Sequence, residues 1–223
     1  MIDTVLFDLD GTLLDTAPDI AVALNLLSVE HGRPELDFAD IRAQVSAGAT
    51  ALVELGLDIA RDAADFNIHR DRLLDLYRGN LSKRTRLFPG MDAVLDAFEA
   101  NGIVWGICTN KPGWLTEPLL AALDLKTRAA CVVSGDTLPE RKPRPEPLWH
   151  ALEICQRKPA QSLYVGDARR DVEAGRAAGM GTVAALYGYI EPDELPREWR
   201  ADHYIEEPRE LLEIVGIDSR VTS

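Results

Sequence analysis

The chain has 223 residues, of which 46% are hydrophobic and 27% charged, and its formal net charge is −13. That length and composition suit a globular protein with one large domain, or one domain carrying an insert. Such acidity argues against a nucleic-acid surface and against adhesion to an anionic membrane, so neither partner is expected.

The first apolar run, Val5-Leu6-Phe7, leads straight into Asp8-Leu9-Asp10-Gly11-Thr12. Alternation along a strand points residues two apart to the same side, so Asp8 and Asp10 can face one centre. Two close anions repel and lose hydration, so the pair does not serve stability. A divalent cation or phosphoryl chemistry accounts for it. Further short apolar runs follow at 103–108, 131–134, 163–165 and 182–185, with a weaker one at 203–205. Their near-continuous apolarity suits strands covered on both faces, and helical segments between them indicate a parallel sheet sandwiched by helices.

One interval breaks this rhythm. From Asp15 to about Lys83 there are helical patterns and no strand. Ile20, Ala23, Leu24 and Leu27 fall at i, i+3, i+4 and i+7, while Ala51, Leu52 and Leu55, then Leu73, Leu74 and Tyr77, begin two more stripes. A simple crossover needs only about a dozen residues, so an inserted helical domain is expected. This divides the chain into a Rossmann-like core of residues 1–14 and 84–223 and an inserted helical domain of residues 15–83. The Leu87-Phe88-Pro89-Gly90 stretch marks the return to the core, and the tail 219–223 is expected to fray.

Three more polar groups fall at predicted strand ends. The second strand runs into Thr109-Asn110-Lys111-Pro112, whose hydroxyl and turn N–H groups can hold anionic oxygens. Lys142 stands between prolines in Arg141-Lys142-Pro143-Arg144-Pro145, a stiffened loop. The fourth strand ends in Gly166-Asp167, with Asp171 one helical turn further on. Each alone has a plain alternative: a polar turn, a solvated lysine, a helix cap. Together they lie where an open α/β sheet forms its site, beyond the carboxyl ends of the strands. The carboxylates suit a hard divalent ion, Mg²⁺. His31, His69, His150 and His203 are scattered and make no zinc set. Cys108, Cys131 and Cys155 are odd in number with no C-x-x-C spacing. They read as buried thiols, and, with no leader or apolar run of about 18–20 residues, a cytoplasmic protein is expected.

The motifs Asp8-Leu9-Asp10-Gly11-Thr12, Thr109-Asn110-Lys111, Lys142-Pro143 and Gly166-Asp167-Ala168-Arg169-Arg170-Asp171 occur in the order of the haloacid dehalogenase superfamily. The chain resembles its phosphatase branch end to end. Asp15-Thr16-Ala17-Pro18-Asp19, Thr109-Asn110-Lys111-Pro112 and Tyr187-Gly188-Tyr189 resemble phosphoglycolate phosphatases. Trp105-Gly106, Tyr187-Gly188-Tyr189-Ile190 and Trp199-Arg200-Ala201-Asp202 resemble N-acetylmuramic acid 6-phosphate phosphatases. Either substrate is expected equally. The resemblance implies a nucleophile at Asp8, an acid/base at Asp10, phosphate binding by Thr109, Asn110 and Lys142, and Mg²⁺ held by Asp8, Asp10, Asp167 and Asp171. It also implies cap specificity residues Ser46 and Gly48, in Val45-Ser46-Ala47-Gly48, where Ala47 replaces the Asn or Gly of many relatives. A monomer or homodimer acting on a small phosphorylated metabolite follows. A phosphosugar mutase, which would use the same groups, and a non-catalytic phosphosugar-binding regulator stay open on these motifs.

Overall fold

The computed structural model describes residues 1–191 and 193–218. The tail 219–223 lies outside them. The main sheet has six parallel strands in the order β5-β4-β1-β6-β7-β8. These are β1 (Thr4–Phe7), β4 (Val104–Cys108), β5 (Val132–Val133), β6 (Ser162–Gly166), β7 (Gly181–Ala185) and β8 (His203–Ile205). They fall where the apolar runs put them. Central β1 is buried throughout, flanked by β4 and β6.

Alternation along β1 sorts its side chains onto two faces. Val5 and Phe7 join one core with Phe98 of α5 (Met91–Ala100), Leu119 of α6 (Gly113–Ala122) and Leu211 of α9 (Glu210–Val215). Leu6 joins the other, with Leu148 and Leu152 of α7 (Glu146–Cys155) and Ala174 and Ala178 of α8 (Arg169–Ala178). Helices thus cover both faces, which is why the strands read as apolar without alternation.

A second, two-stranded antiparallel ribbon joins β2 (Leu14–Asp15) to β3 (Arg86–Leu87). Between its strands run α1 (Ala17–Glu30), α2 (Phe38–Gln44), α3 (Ala49–Leu57) and α4 (Phe66–Arg78). Helix α1 begins with Pro18 in its first turn, where the missing N–H is no loss. Its buried face, Ile20, Ala23, Leu24 and Leu27, packs against α2, α3 and α4. Asp19 on α1 clasps the returning chain. Its carboxylate accepts the N–H groups of Arg84 and Thr85 and the Thr85 hydroxyl, the last at 2.7 Å. No helix among the described residues is long and apolar enough to cross a membrane.

Candidate active site

The end of β1 places Asp8 beside the ends of β4 and β6. Asp8 is 4% exposed. Lys142, from the loop before α7, reaches it with Nζ at 2.9 Å from Oδ1. The same ammonium lies 2.8 Å from Asp171 Oδ1 and donates to the Tyr164 hydroxyl at 2.6 Å. Tyr164 in turn donates to the Cys108 carbonyl at 2.7 Å, tying the lysine's position to β6 and β4. Burial pushes the Asp8 carboxyl up, but Lys142, and Arg170 behind it, outweigh burial and settle it below the ordinary carboxylate value. Burial disfavours charge on Lys142 too, yet Asp171 and Asp8 raise its pKa, so it stays cationic. An ionised carboxylate thus sits at the mouth of the sheet, held by a buried cation.

Asp167 and Asp171 complete an acidic cluster with Asp8. One ligand oxygen from each lies within 4.8 Å of the others, and all three residues are buried. Burial first, then repulsion from Asp8 and Asp171, raises the Asp167 carboxyl to about 7, against hydrogen bonds from Tyr189 N–H and Ser46 that pull it down. Burial also raises Asp171, more than Lys142 lowers it. Three buried acids share Lys142 and the field of Arg170, and the raised Asp167 and Asp171 carboxyls mark a site still short of positive charge. An oxygen-only donor set of this kind fits a hard divalent cation such as Mg²⁺. The Asp10 carboxylate is not in this cluster.

Asp10 looks to the other side of the cleft. Its Oδ1 accepts from Thr16 at 2.6 Å and from Lys111 Nζ at 2.9 Å, while Oδ2 has only a 3.3 Å contact with Lys111. Lys111 also donates to the Tyr77 hydroxyl of α4 at 2.9 Å. Burial opposes charge on Lys111, but Asp10 and Tyr77 raise its pKa above the usual lysine value. Thr109 is buried at the end of β4, and its hydroxyl accepts the Lys111 N–H at 3.2 Å. The Asn110 side chain is engaged elsewhere. Its amide donates to the Lys142 carbonyl at 3.0 Å and accepts the Lys142 N–H at 3.1 Å, which fixes the lysine loop.

Ser46, between α2 and α3, donates to Asp167 Oδ2 at 2.8 Å. Arg42 of α2 donates to the Tyr187 carbonyl at 3.0 Å, with its guanidinium over the Tyr189 ring. The helical insert is therefore seated on the core. Gly48 caps α3 with φ 87° and ψ −179°, a conformation open essentially to glycine alone. A Cβ there would meet nothing within 4 Å, so backbone conformation, not crowding, calls for this glycine. Asp8, Asp10, Thr109, Lys111, Ser46 and Gly48 all line one cleft of about 730 Å³.

These carboxylates, the threonine and the lysine stand at the ends of β1, β4 and β6 and in the loop before α7, in the order of a known hydrolase family. The family model for haloacid dehalogenase-like hydrolases matches residues 5–185. The chain belongs to that family. It is 38% identical over 211 residues to the N-acetylmuramic acid 6-phosphate phosphatase of Pseudomonas aeruginosa, covering 95% of this chain and 93% of the relative. It is 43% identical over 209 residues to a phosphoglycolate phosphatase of Xanthomonas campestris pv. campestris, covering 94% of each. Among solved structures, a predicted phosphoglycolate phosphatase from Haemophilus somnus superposes with a TM-score of 0.83 at 28% identity, covering 96% of this chain and 97% of that one.

The hydrolase site contains groups that the sequence marked only as motif members, without a role. Lys111 was visible only as part of a motif, and its pairing with Asp10 and Tyr77 depends on how α4 meets the core. Tyr189 N–H donates to Asp167 at 2.8 Å, and its hydroxyl donates to Asp15 at 2.7 Å and accepts the Ala17 N–H at 2.9 Å. A side chain at Gly188 would collide with Asp167 and with the Gly11 carbonyl. The Tyr187-Gly188-Tyr189 run is thus a buttress that links Asp167 to the start of α1, and its aromatic-glycine-aromatic spacing was its signal.

Proposed function

We propose that this hydrolase is a magnesium-dependent phosphomonoesterase that works through an aspartyl phosphate on Asp8 and acts on a small phosphorylated metabolite in the cytoplasm. The observation that carries this reading is the ionised Asp8 carboxylate, held by Lys142 beside the buried acids Asp167 and Asp171. Residues 1–14 and 84–223 form the catalytic core, and residues 15–83 are a cap over it.

Asp8 attacks phosphorus through a carboxylate oxygen, and the bond from phosphorus to the ester oxygen breaks. Asp10 gives its proton to the leaving alkoxide, a poor leaving group without one. Its less engaged oxygen, Oδ2, is suited to that transfer. Water then attacks phosphorus, Asp10 takes the water's proton, and the Asp8–phosphorus bond breaks to release phosphate. Thr109 and Lys142 hold the transferring oxygens, while Asn110 keeps Lys142 in place. Asp8, Asp167 and Asp171, with the Asp10 main chain, would hold Mg²⁺, which supplies positive charge where the anionic ester meets the anionic nucleophile. Lys111 and Thr16 orient Asp10. The relatives' names supply two candidate substrates, N-acetylmuramic acid 6-phosphate and 2-phosphoglycolate.

Release of inorganic phosphate from phosphomonoesters, with Mg²⁺ and without any bisphosphate activator, tests the reading. Turnover is expected to vanish in a chelator and in Asp8→Asn, whose amide keeps the shape but is no nucleophile. Asp8→Asn activity within about tenfold of wild type, a barrier change of only ~1.4 kcal/mol, would remove Asp8 from the covalent role.

A further inference from the structure

We propose that the substrate is a phosphorylated sugar acid, a ring-sized alcohol that carries a second anion besides its phosphate, and that Arg70 and Arg141 read this anion. The proposal rests on the phosphomonoesterase reading above.

Size is the first argument. The cleft of about 730 Å³ is measured with Ser46 already bonded to Asp167, so the volume is not that of a lifted cap. Clefts of about 300–1,000 Å³ hold drug-sized molecules, whereas a two-carbon phosphoester has only roughly nine non-hydrogen atoms. It would leave most of this cleft to water.

Charge is the second. The cations near the phosphoryl position are committed there: Lys142 to Asp8 and Asp171, Lys111 to Asp10, and Arg170 to the field at Asp8. Arg70 of α4 and Arg141 of the core loop line the same cleft and touch none of those carboxylates. Arg70 pairs with its sequence neighbour Asp71 at 3.1 Å, and both side chains are substantially exposed. Such a pair is worth little, so the guanidinium can turn to a substrate anion at small cost. Arg141 is exposed, and no hydrogen bond or ion pair engages its guanidinium among the described residues. In a chain of net charge −13, two arginines that line the cleft, one from α4 and one from the core loop, and that hold none of the site's carboxylates call for an anion there. Trp114 also lines the cleft, with Arg78 6.0 Å from its ring centre, and offers a flat apolar face to the C–H groups of a sugar ring. A two-carbon acid lacks the size, and a neutral sugar phosphate lacks the charge.

The test compares kcat/KM of the full-length enzyme with Mg²⁺ on N-acetylmuramic acid 6-phosphate, N-acetylglucosamine 6-phosphate, 2-phosphoglycolate and p-nitrophenyl phosphate. The sugar acid is expected to exceed both the neutral sugar and 2-phosphoglycolate by at least about tenfold. In the double variant Arg70→Gln/Arg141→Gln, the ratio of sugar acid to neutral sugar should fall by about tenfold, mainly through KM. The ratio cancels any loss of folded protein. A 2-phosphoglycolate value equal to or above that of the sugar acid, or a ratio unchanged in the double variant, overturns the proposal while leaving the phosphatase reading intact. Failure to release phosphate from all four compounds overturns both.

Discussion

Two aspartates separated by one leucine have opposite surroundings. Asp8 is held by a lysine within the acidic cluster, and Asp10 by a different lysine across the cleft. In the proposed mechanism, this separation suits one to act as nucleophile and the other as proton carrier. Asp10→Asn should therefore slow hydrolysis of an alkyl phosphate at least about tenfold more than that of an aryl phosphate, which needs little acid assistance. Steady-state kcat/KM on the two esters measures this, and equal losses would remove Asp10 from the acid role. Asp167 supplies a second test. Its carboxyl is raised to about 7 in the folded protein, against an ordinary 3.8. Between these values the metal-free protein holds a proton that the unfolded chain has lost. The associated stability is complete below about pH 4 and disappears as pH rises through about 7. A divalent cation prefers the ionised group, so Mg²⁺ should raise the Tm more at pH 8 than at pH 6. Equal shifts at the two pH values would take Asp167 out of the metal site.

At the scale of elements, the ribbon β2–β3 and the Asp19 clasp join the helical insert to the core. The Asp19 carboxylate is 1% exposed and satisfies two backbone N–H groups and the Thr85 hydroxyl. Asp19→Ala should lower stability by ~2–3 kcal/mol, because charge-assisted bonds are lost and buried donors are left unpaired. Urea unfolding measures this, and a loss below about 0.5 kcal/mol would show that the clasp is not structural. This ribbon was not legible in the sequence. Each strand has two residues, and their pairing is set by contacts some seventy positions apart. Helix α2 escaped notice as well, since only Ile41 of its seven residues is buried and no apolar stripe marks it. The central strands were legible because burial on both faces demands unbroken apolar runs, whereas edge strand β8, with His203 exposed, left a weaker one. The carboxylates and Lys142 were legible because they follow those runs or stand in a proline-stiffened loop. What stayed hidden were partnerships made by packing: Lys111 with Tyr77, Arg42 with Tyr187, and Ser46 with Asp167. Gly48, in the loop between α2 and α3, was legible as a special position, but its cause is a positive φ.

Across the whole molecule, a strongly acidic chain gathers cations at one edge of its sheet. Lys111, Arg70, Arg141 and Arg170 line the cleft, and Lys142 sits buried beneath it. The parallel sheet makes this possible, because β1, β4 and β6 all end at the same edge and bring together residues more than 150 positions apart. The helical insert adds Ser46 and Tyr77 to the same cleft, so that Asp8, the proposed nucleophile, lies where the insert meets the sheet edge. The central claim is that the phosphoryl group passes through Asp8 before it reaches water. The stereochemical course at phosphorus tests this most directly, using a phosphorothioate ester made chiral with two oxygen isotopes in its thiophosphoryl group and hydrolysed in water carrying the third. Two successive in-line displacements predict net retention of configuration. Net inversion would mean a single direct attack by water and would contradict the account.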